Sequence, residues 1–317
     1  MPDIVIAFFA LGLLAGLIKS DLKVPPSIYE TLSILLMLVL GLKGGMALYG
    51  KFDLGMLIQL LAIAALGLVL PLLCYPILRR WVALPLDDAV SIAAHYGSVS
   101  AGTFAVVLAM VEKSGLPVNA QTTLYLVMLE LPAILVMLWF HRRYSGAGSK
   151  SGAKSEASSS ILREALTSRG VLLLGGGVLI GYLYGPVGLA SLKPILLDGF
   201  NTMLALFLLE MGLCTAKVCS PLPLKHWRLM VFAAVMPFAL AWVGIATALA
   251  LRLPAGSAVV LAALTASASY IAAPAAIRAA IPNANIGLAM LAALGITFPI
   301  NVFIGLPLYQ QWVQLFY

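Results

Sequence analysis

Charge is what this chain has least of. Only 10% of its 317 residues are Asp, Glu, Lys or Arg, against roughly 25% in a soluble globular protein. With 62% hydrophobic residues and a mean hydropathy of +1.05, a soluble core is excluded and a polytopic membrane protein is indicated. Cysteine is scarce too: Cys74, Cys214 and Cys219 lie in or beside apolar segments, with neither metal-ligand nor redox spacing. They read as free thiols. Catalytic signatures are missing: the chain has no HExxH, no GxSxG and no phosphate-binding loop. A membrane-embedded hydrolase using Ser98 or Ser100 with His95 is disfavoured, because the second copy of that motif has no histidine. The formal charge of +7 is read as a topology signal. Its basic residues lie in short connections and form no aromatic-interleaved patch, so nucleic acid is not an expected partner.

Apolar stretches of spanning length are predicted near 4–18, 28–50, 54–78, 87–112 and 119–140, then near 170–186, 194–216, 226–251, 255–281 and 286–312. The first, with no basic residues before it, reads as a retained span and not as a secretory signal. Between the two sets lies a Ser/Gly/Lys-rich segment, 141–169, which reads as a flexible linker. The expected organisation is therefore a first half over 1–140, a linker over 141–169 and a second half over 170–317. With ten spans, 14 of the 19 basic residues fall on the linker's side, among them Arg79, Arg80, Arg142, Arg143 and Arg228. Lys43, Lys51, Lys113, Lys193 and Arg252 fall on the other. Positive charge marks the cytoplasmic side, so a multi-pass protein of the plasma (inner) membrane is predicted, with the linker cytoplasmic and both termini outside.

Five spans per half is an odd number, so two copies in sequence must have opposite orientation. Three marks repeat in order at offsets of about 167–171. LGLKGG (40–45) recurs as MGLCTA (211–216), and LELPAILV (129–136) as ITFPINVF (296–303). Between them, AAHYGSVSAGTFAVVLAM (93–110) answers LTASASYIAAPAAIRAA (264–280). Each member of this last pair is apolar at both ends and rich in Ser, Thr, Gly or Pro in the middle, where a helix unwinds readily. Unwound backbone in a membrane survives only where protein or a cavity satisfies it. Paired interrupted segments in matching halves point to a transporter's binding site. The predicted fold is all-α, a 5+5 inverted repeat of ten transmembrane helices with helices 4 and 9 broken.

Half-helix N-termini meeting at the midplane would present free N–H groups and about +0.5 charge each to an anion. Small residues (Ala101, Gly102, Ala272, Ala273) allow close approach to that backbone, and Pro274 suits a first helical turn. The same places supply hard neutral oxygens for a cation: Ser98, Ser100, Thr103, Thr265, Ser267, Ser269, Thr297 and Asn301. Proton coupling would call on Glu130, Glu210 or His95, none of them central in both halves. Sodium is the favoured coupling ion. Any single Ser or Thr here could simply bond back to its own turn, His95 could be a hydrogen-bonded spacer, and Lys43 could reach the interface. The roles of Glu130 and Glu210 stay open between substrate binding and helix bridging.

At GLKGG, HYGSVSAGTF, EMGL, SASYIAAPAA and GITFP-x-N the chain resembles the sodium-dependent bicarbonate transporter family, the high-affinity single-component uptake type. The resemblance spans both halves. It implies a gate-like scaffold, a mobile core, an elevator-like movement, a homotrimer, and bicarbonate held between spans 4 and 9 with Na⁺ beside it. Carried over by motif, bicarbonate falls to Ser100, Ala101, Gly102, Thr103 and Phe104, with Ala272 and Ala273 opposite. Sodium falls to Ser98, Thr265, Ser267, Ser269 and Asn301. Relatives of this type in cyanobacteria are regulated by a small trimeric PII-like protein that docks on the cytoplasmic face; here the linker is short and low in complexity. The alternatives are a sodium-coupled carrier of another small anion, an anion channel, and a membrane sensor, which the lack of a folded output domain disfavours.

Overall fold

The structure, a computed structural model, describes residues 4–50, 54–145, 169–220 and 224–317. Lys51, and most of the expected linker with Lys150, Lys154 and Arg163, lie outside the described residues. The described chain is helical: α1 (Ile4–Leu17), α2 (Pro26–Leu48), α3 (Leu54–Arg80), α4 (Leu86–Gly97), α5 (Ala101–Lys113), α6 (Leu124–Tyr144), α7 (Arg169–Gly188), α8 (Phe200–Val218), α9 (Trp227–Ala250), α10 (Ala255–Thr265), α11 (Ala272–Ala280) and a last irregular helix, α12 (Ile286–Gln314). Helix α6 runs into the segment read as linker, where His141 Nε2 meets Asp87 Oδ1 of α4 at 2.7 Å.

Among the described residues, seven helical segments are long and apolar enough to cross a bilayer. One of them, Leu86–Lys113, runs across the α4–α5 interruption and is the most enclosed. Three further apolar helices, Ile4–Leu17, Leu172–Gly188 and Ala255–Thr265, are shorter. The 14 residues of α1 extend only about 21 Å at 1.5 Å per residue. This is a multi-pass, all-α membrane protein.

Glycine decides how the helices pair. The most extensive pairings are α1 with α8 and α2 with α7. Gly41 and Gly45 of α2 face Gly177 and Gly181 of α7, and Gly12 and Gly16 of α1 face Gly212 and Ala216 of α8. Both crossings oppose small residues spaced four apart, which lets two backbones touch where lipid offers no hydrophobic drive for association. In the rest of the molecule α3 packs on α4 and α6, and α9 packs on α10 and α12.

Helix α12 is irregular for a chemical reason. Pro299 has no N–H, so the Gly295 carbonyl one turn earlier loses its helical partner. The backbone widens into π turns at Leu291–Thr297 and Asn301–Gly305, on either side of that proline. Helix α8 supplies the missing donors. Thr215 Oγ1 donates to Leu294 O at 3.2 Å, and the Cys219 thiol to Gly295 O at 3.4 Å.

Two loops are tied in matching fashion. Asn119 N, before α6, donates to Ser257 Oγ of α10 at 2.8 Å. Asn285 N, before α12, donates to Asp88 Oδ1 of α4 at 2.7 Å. Each loop is thus held to the outer end of the opposite interrupted segment.

Candidate functional site

Helix α4 ends where Gly97 meets α3 and α6. A Cβ on Gly97 would stand 2.6 Å from Pro71 Cδ and 2.7 Å from Ala133 Cβ, so the approach is open to glycine alone. The next residues are extended, with Ser98 at φ −87°, ψ 140° and Ser100 at φ −100°, ψ 117°. Helix α5 then starts at Ala101, capped by Ser100, whose Oγ accepts from Thr103 N at 3.0 Å. In the second half α10 stops at Thr265 and α11 begins at Ala272. Ser269 Oγ accepts from Ala273 N at 3.1 Å and serves the first turn of α11. Pro274 is the third residue of that helix.

The two interruptions cross and satisfy one another. Ser269 N donates to His95 O at 2.7 Å and Ser98 O at 3.0 Å. Ser100 N donates to Ser267 Oγ at 3.0 Å, and the Ser267 hydroxyl passes its own proton to Leu264 O at 2.7 Å. Asn301 Nδ2 donates to Ala266 O at 2.8 Å, and Asn301 Oδ1 accepts from Tyr309 OH at 2.8 Å. The unwound backbone therefore meets protein, as an apolar surrounding demands. Near it, Thr297 Oγ1 donates to Ala233 O at 2.8 Å, so Tyr96 OH donates to Thr297 at 2.6 Å.

A small cavity lies at the crossing, lined by Ser100 and Ala101 from one interruption, by Ser269, Tyr270 and Ala272 from the other, and by Met37 of α2 and Glu130 of α6. About 10 Å³ of it is open to the centre of a water molecule, room for roughly one water. An adjoining cavity is lined by Gly102, Ser33 and Phe207. Neither lining contains Lys or Arg. The helices α5 and α11 begin at this cavity, with Ala101 and Ala272 in its wall, and a helix N-terminus carries partial positive charge.

Of the residues predicted for the anion, Ser100, Ala101 and Ala272 line the first cavity and Gly102 the second. Ala273, Thr103 and Phe104 lie one step deeper and are buried. Thr103 Oγ1 has no hydrogen-bond partner among the described residues, so it is free to receive one. Of the residues predicted for sodium, Ser98, Ser267 and Ser269 meet in the hydrogen-bonded crossing, and Asn301 joins through the Ala266 carbonyl. Thr265 does not join it. Its Oγ1 turns back to Ala262 O at 3.0 Å, against Gly244 of α9. Ser98 Oγ is buried and unpartnered among the described residues. His95 bonds Ser91 O through Nδ1 at 2.7 Å. A carbonyl only accepts, so Nδ1 carries the proton and Nε2 remains an unpartnered acceptor.

Tyr270 was not legible as a site residue. Its hydroxyl sits over the first turn of α5, against the Gly102 backbone and the Ser100 side chain. The hint was an aromatic hydroxyl inside the polar run SASY. Lys43 does more than reach an interface: its Nζ lies 3.5 Å from Glu112 Oε1 of α5 and 4.7 Å from the Phe200 ring centroid of α8.

The family model for the Na⁺-dependent bicarbonate transporter superfamily matches residues 4–314, from α1 to the end of α12. The chain belongs to that superfamily. No curated protein matches it at a significant level. Membership in a bicarbonate transporter superfamily makes the chain a transporter and not an enzyme, and the crossing lies wholly within the matched residues. Among the described residues there is no group of three His, Cys, Asp or Glu placed to hold a metal ion. Hydroxyl and carbonyl oxygens can hold an alkali cation without such a group.

Proposed function

We propose that this protein is a sodium-coupled bicarbonate symporter that works by alternating access. The observation that carries the reading is the crossing itself: two helix N-termini in the wall of one cavity, no basic side chain around it, and hydroxyl and carbonyl oxygens beside it. Bicarbonate binds at Ser100, Ala101, Gly102 and Thr103, with Phe104 closing behind and Ala272 and Ala273 opposite. Sodium binds among Ser98, Ser267, Ser269 and Asn301, with Thr265 recruited by a rotamer change.

The chain is read as ten spans in a 5+5 inverted repeat, the three short apolar helices completing the count. The paired crossings of α1 with α8 and α2 with α7, and the two matching loop ties, support that symmetry. Both termini then face outward, and the 141–169 connection faces the cytoplasm, where a PII-like regulator would meet it. The pairing of α1, α2, α7 and α8 supplies a scaffold for a homotrimer, and the remaining helices form an elevator-like core.

The energetics fit a symporter. A negative-inside potential opposes bicarbonate entry by about 2.3 kcal/mol per 100 mV. One co-transported Na⁺ cancels that term and leaves the sodium gradient as the drive. The cavity admits about one water, whereas bicarbonate has four heavy atoms. Loading therefore requires the α2 and α8 walls to move away from the interruptions, a displacement suited to rigid-body alternating access.

Labelled bicarbonate uptake into proteoliposomes, with and without an inward sodium gradient at fixed pH, tests the reading. Accumulation is expected only with sodium. Sodium-independent flux without accumulation would identify an anion channel instead. Thr103→Val is expected to raise the half-saturating bicarbonate about tenfold with normal folded yield, since Oγ1 is unpartnered and valine fills the same space. Ser269→Ala is expected to cut uptake by a similar factor, because the first turn of α11 loses its acceptor. A buried donor left without its partner costs about 1–3 kcal/mol. Unchanged kinetics in both variants would remove the site from this crossing.

A further inference from the structure

Glu130 stands where a carboxylate ought not to be. It is only 4% exposed, on the face of α6 that walls the cavity at the crossing. One oxygen is wedged against α7: a Cβ on Gly170 would lie 2.6 Å from Oε1. The other, Oε2, is buried with no hydrogen-bond partner among the described residues. In the match of LELP to ITFP, Glu130 lines up with Thr297. The Thr297 hydroxyl is fully used, accepting from Tyr96 and donating to Ala233 O. The first half thus carries an acid with an unused oxygen at the place where the second half carries a satisfied hydroxyl.

An ionised carboxylate would expel an anion from this cavity. Two like charges 4 Å apart repel by about 4 kcal/mol at an effective dielectric of 20. A carboxyl that keeps its proton does the opposite, because its O–H is a donor. No Lys or Arg lines the cavity to pair with a charged Glu130, and its other titratable wall residue is Tyr270. Arg169, next to Gly170, is exposed and does not line the cavity.

We propose that Glu130 acts in its protonated form, as the side-chain hydrogen-bond donor to a small oxygen-bearing monoanion held at the first turns of α5 and α11. This rests on the anion reading of the crossing. Backbone N–H groups hold the anion from one side, and the Glu130 hydroxyl closes the other. The device sets specificity, since it contributes a donor without adding a positive charge that would trap the cargo.

The test uses full-length wild type, Glu130→Gln and Glu130→Ala, each checked for folding by its sodium-induced thermal shift. Bicarbonate and formate are the anion probes, read by thermal stabilisation and by uptake with separate half-saturation values for anion and sodium. Glutamine keeps a donor and carries no charge. It is expected to hold the half-saturating bicarbonate within about threefold of wild type. Alanine is expected to raise it about tenfold or more, with sodium half-saturation unchanged. Alanine behaving as wild type would overturn the proposal. So would a Glu130→Gln protein whose sodium half-saturation rises sharply, because that marks a charged cation ligand. If wild type takes up no bicarbonate but formate stabilises wild type and Glu130→Gln and not Glu130→Ala, the bicarbonate reading fails and the Glu130 assignment stands. If neither anion stabilises wild type, the Glu130 assignment fails.

Discussion

Gly45→Leu is expected to abolish recovery of folded protein, more completely than any change at the binding crossing. A Cβ at residue 45 would lie 2.6 Å from Tyr182 N and 2.8 Å from Gly181 Cα. Both neighbours are backbone, so no side chain can swing aside. Gly41 faces the same limit, 2.9 Å from Gly177 Cα. Relief requires α2 and α7 to separate along their whole crossing, which removes the dispersion contact that holds them together in lipid. Overpacking a core typically costs about 1–3 kcal/mol, and a backbone-on-backbone clash belongs above that range. Gly175→Ala and Gly176→Ala are the controls, since a Cβ at either position meets nothing within 4 Å. They are expected to melt at or above the wild-type temperature, because alanine is the better helix former by roughly 0.8–1 kcal/mol. Detergent-solubilised thermal melting separates the two sets, and a normally folded Gly45→Leu protein would show that the crossing does not organise the fold.

The same glycines show how much of the fold could be read from the chain. LGLKGG and MGLCTA stood out in the sequence because their small residues recur in order. Their purpose was not legible: Gly45 touches α7 and Gly212 touches α1, and a sequence does not name the opposing helix. That the chain crosses a membrane several times followed from apolar length, and the ends of α4 at Gly97 and of α10 at Thr265 fall beside Ser-, Gly- and Pro-rich stretches inside apolar segments. The crossing was only half legible. Ser100 capping its own helix is a local pattern. Its bond to Ser267 joins residues far apart in sequence and exists only after folding. The π turns of α12 were hidden because Pro299 signals a lost hydrogen bond without saying that Thr215 and Cys219 of another helix replace it. Tyr309 offered a faint signal, lying eight residues after Asn301 and hence on the same helical face.

Ser267→Ala is the change at the crossing expected to cost most in transport. Every serine there has a hydroxyl, but their uses differ. Ser98 Oγ has no partner among the described residues, so Ser98→Ala is expected to leave the fold as it is, and on the proposed reading any loss of uptake reports on sodium. Ser269 Oγ serves one donor within its own segment. Ser267 ties the two interruptions together through its side chain, accepting from Ser100 N while donating to Leu264 O. Alanine at 267 strands a buried N–H in the residue that caps α5, at about 1–3 kcal/mol. The first turn of α5 then loses its fixed position against α11. On the proposed reading both first turns address one anion, so a shift of either weakens the joint site. A drop of at least tenfold in sodium-dependent uptake is therefore expected, with the half-saturating concentrations of both bicarbonate and sodium raised together. A rise in the anion value alone would place Ser267 with the anion and leave the cation to Ser98 and Asn301. Normal uptake would mean that the Ser100–Ser267 bond is dispensable and that the halves are coupled through the Ser269 amide instead.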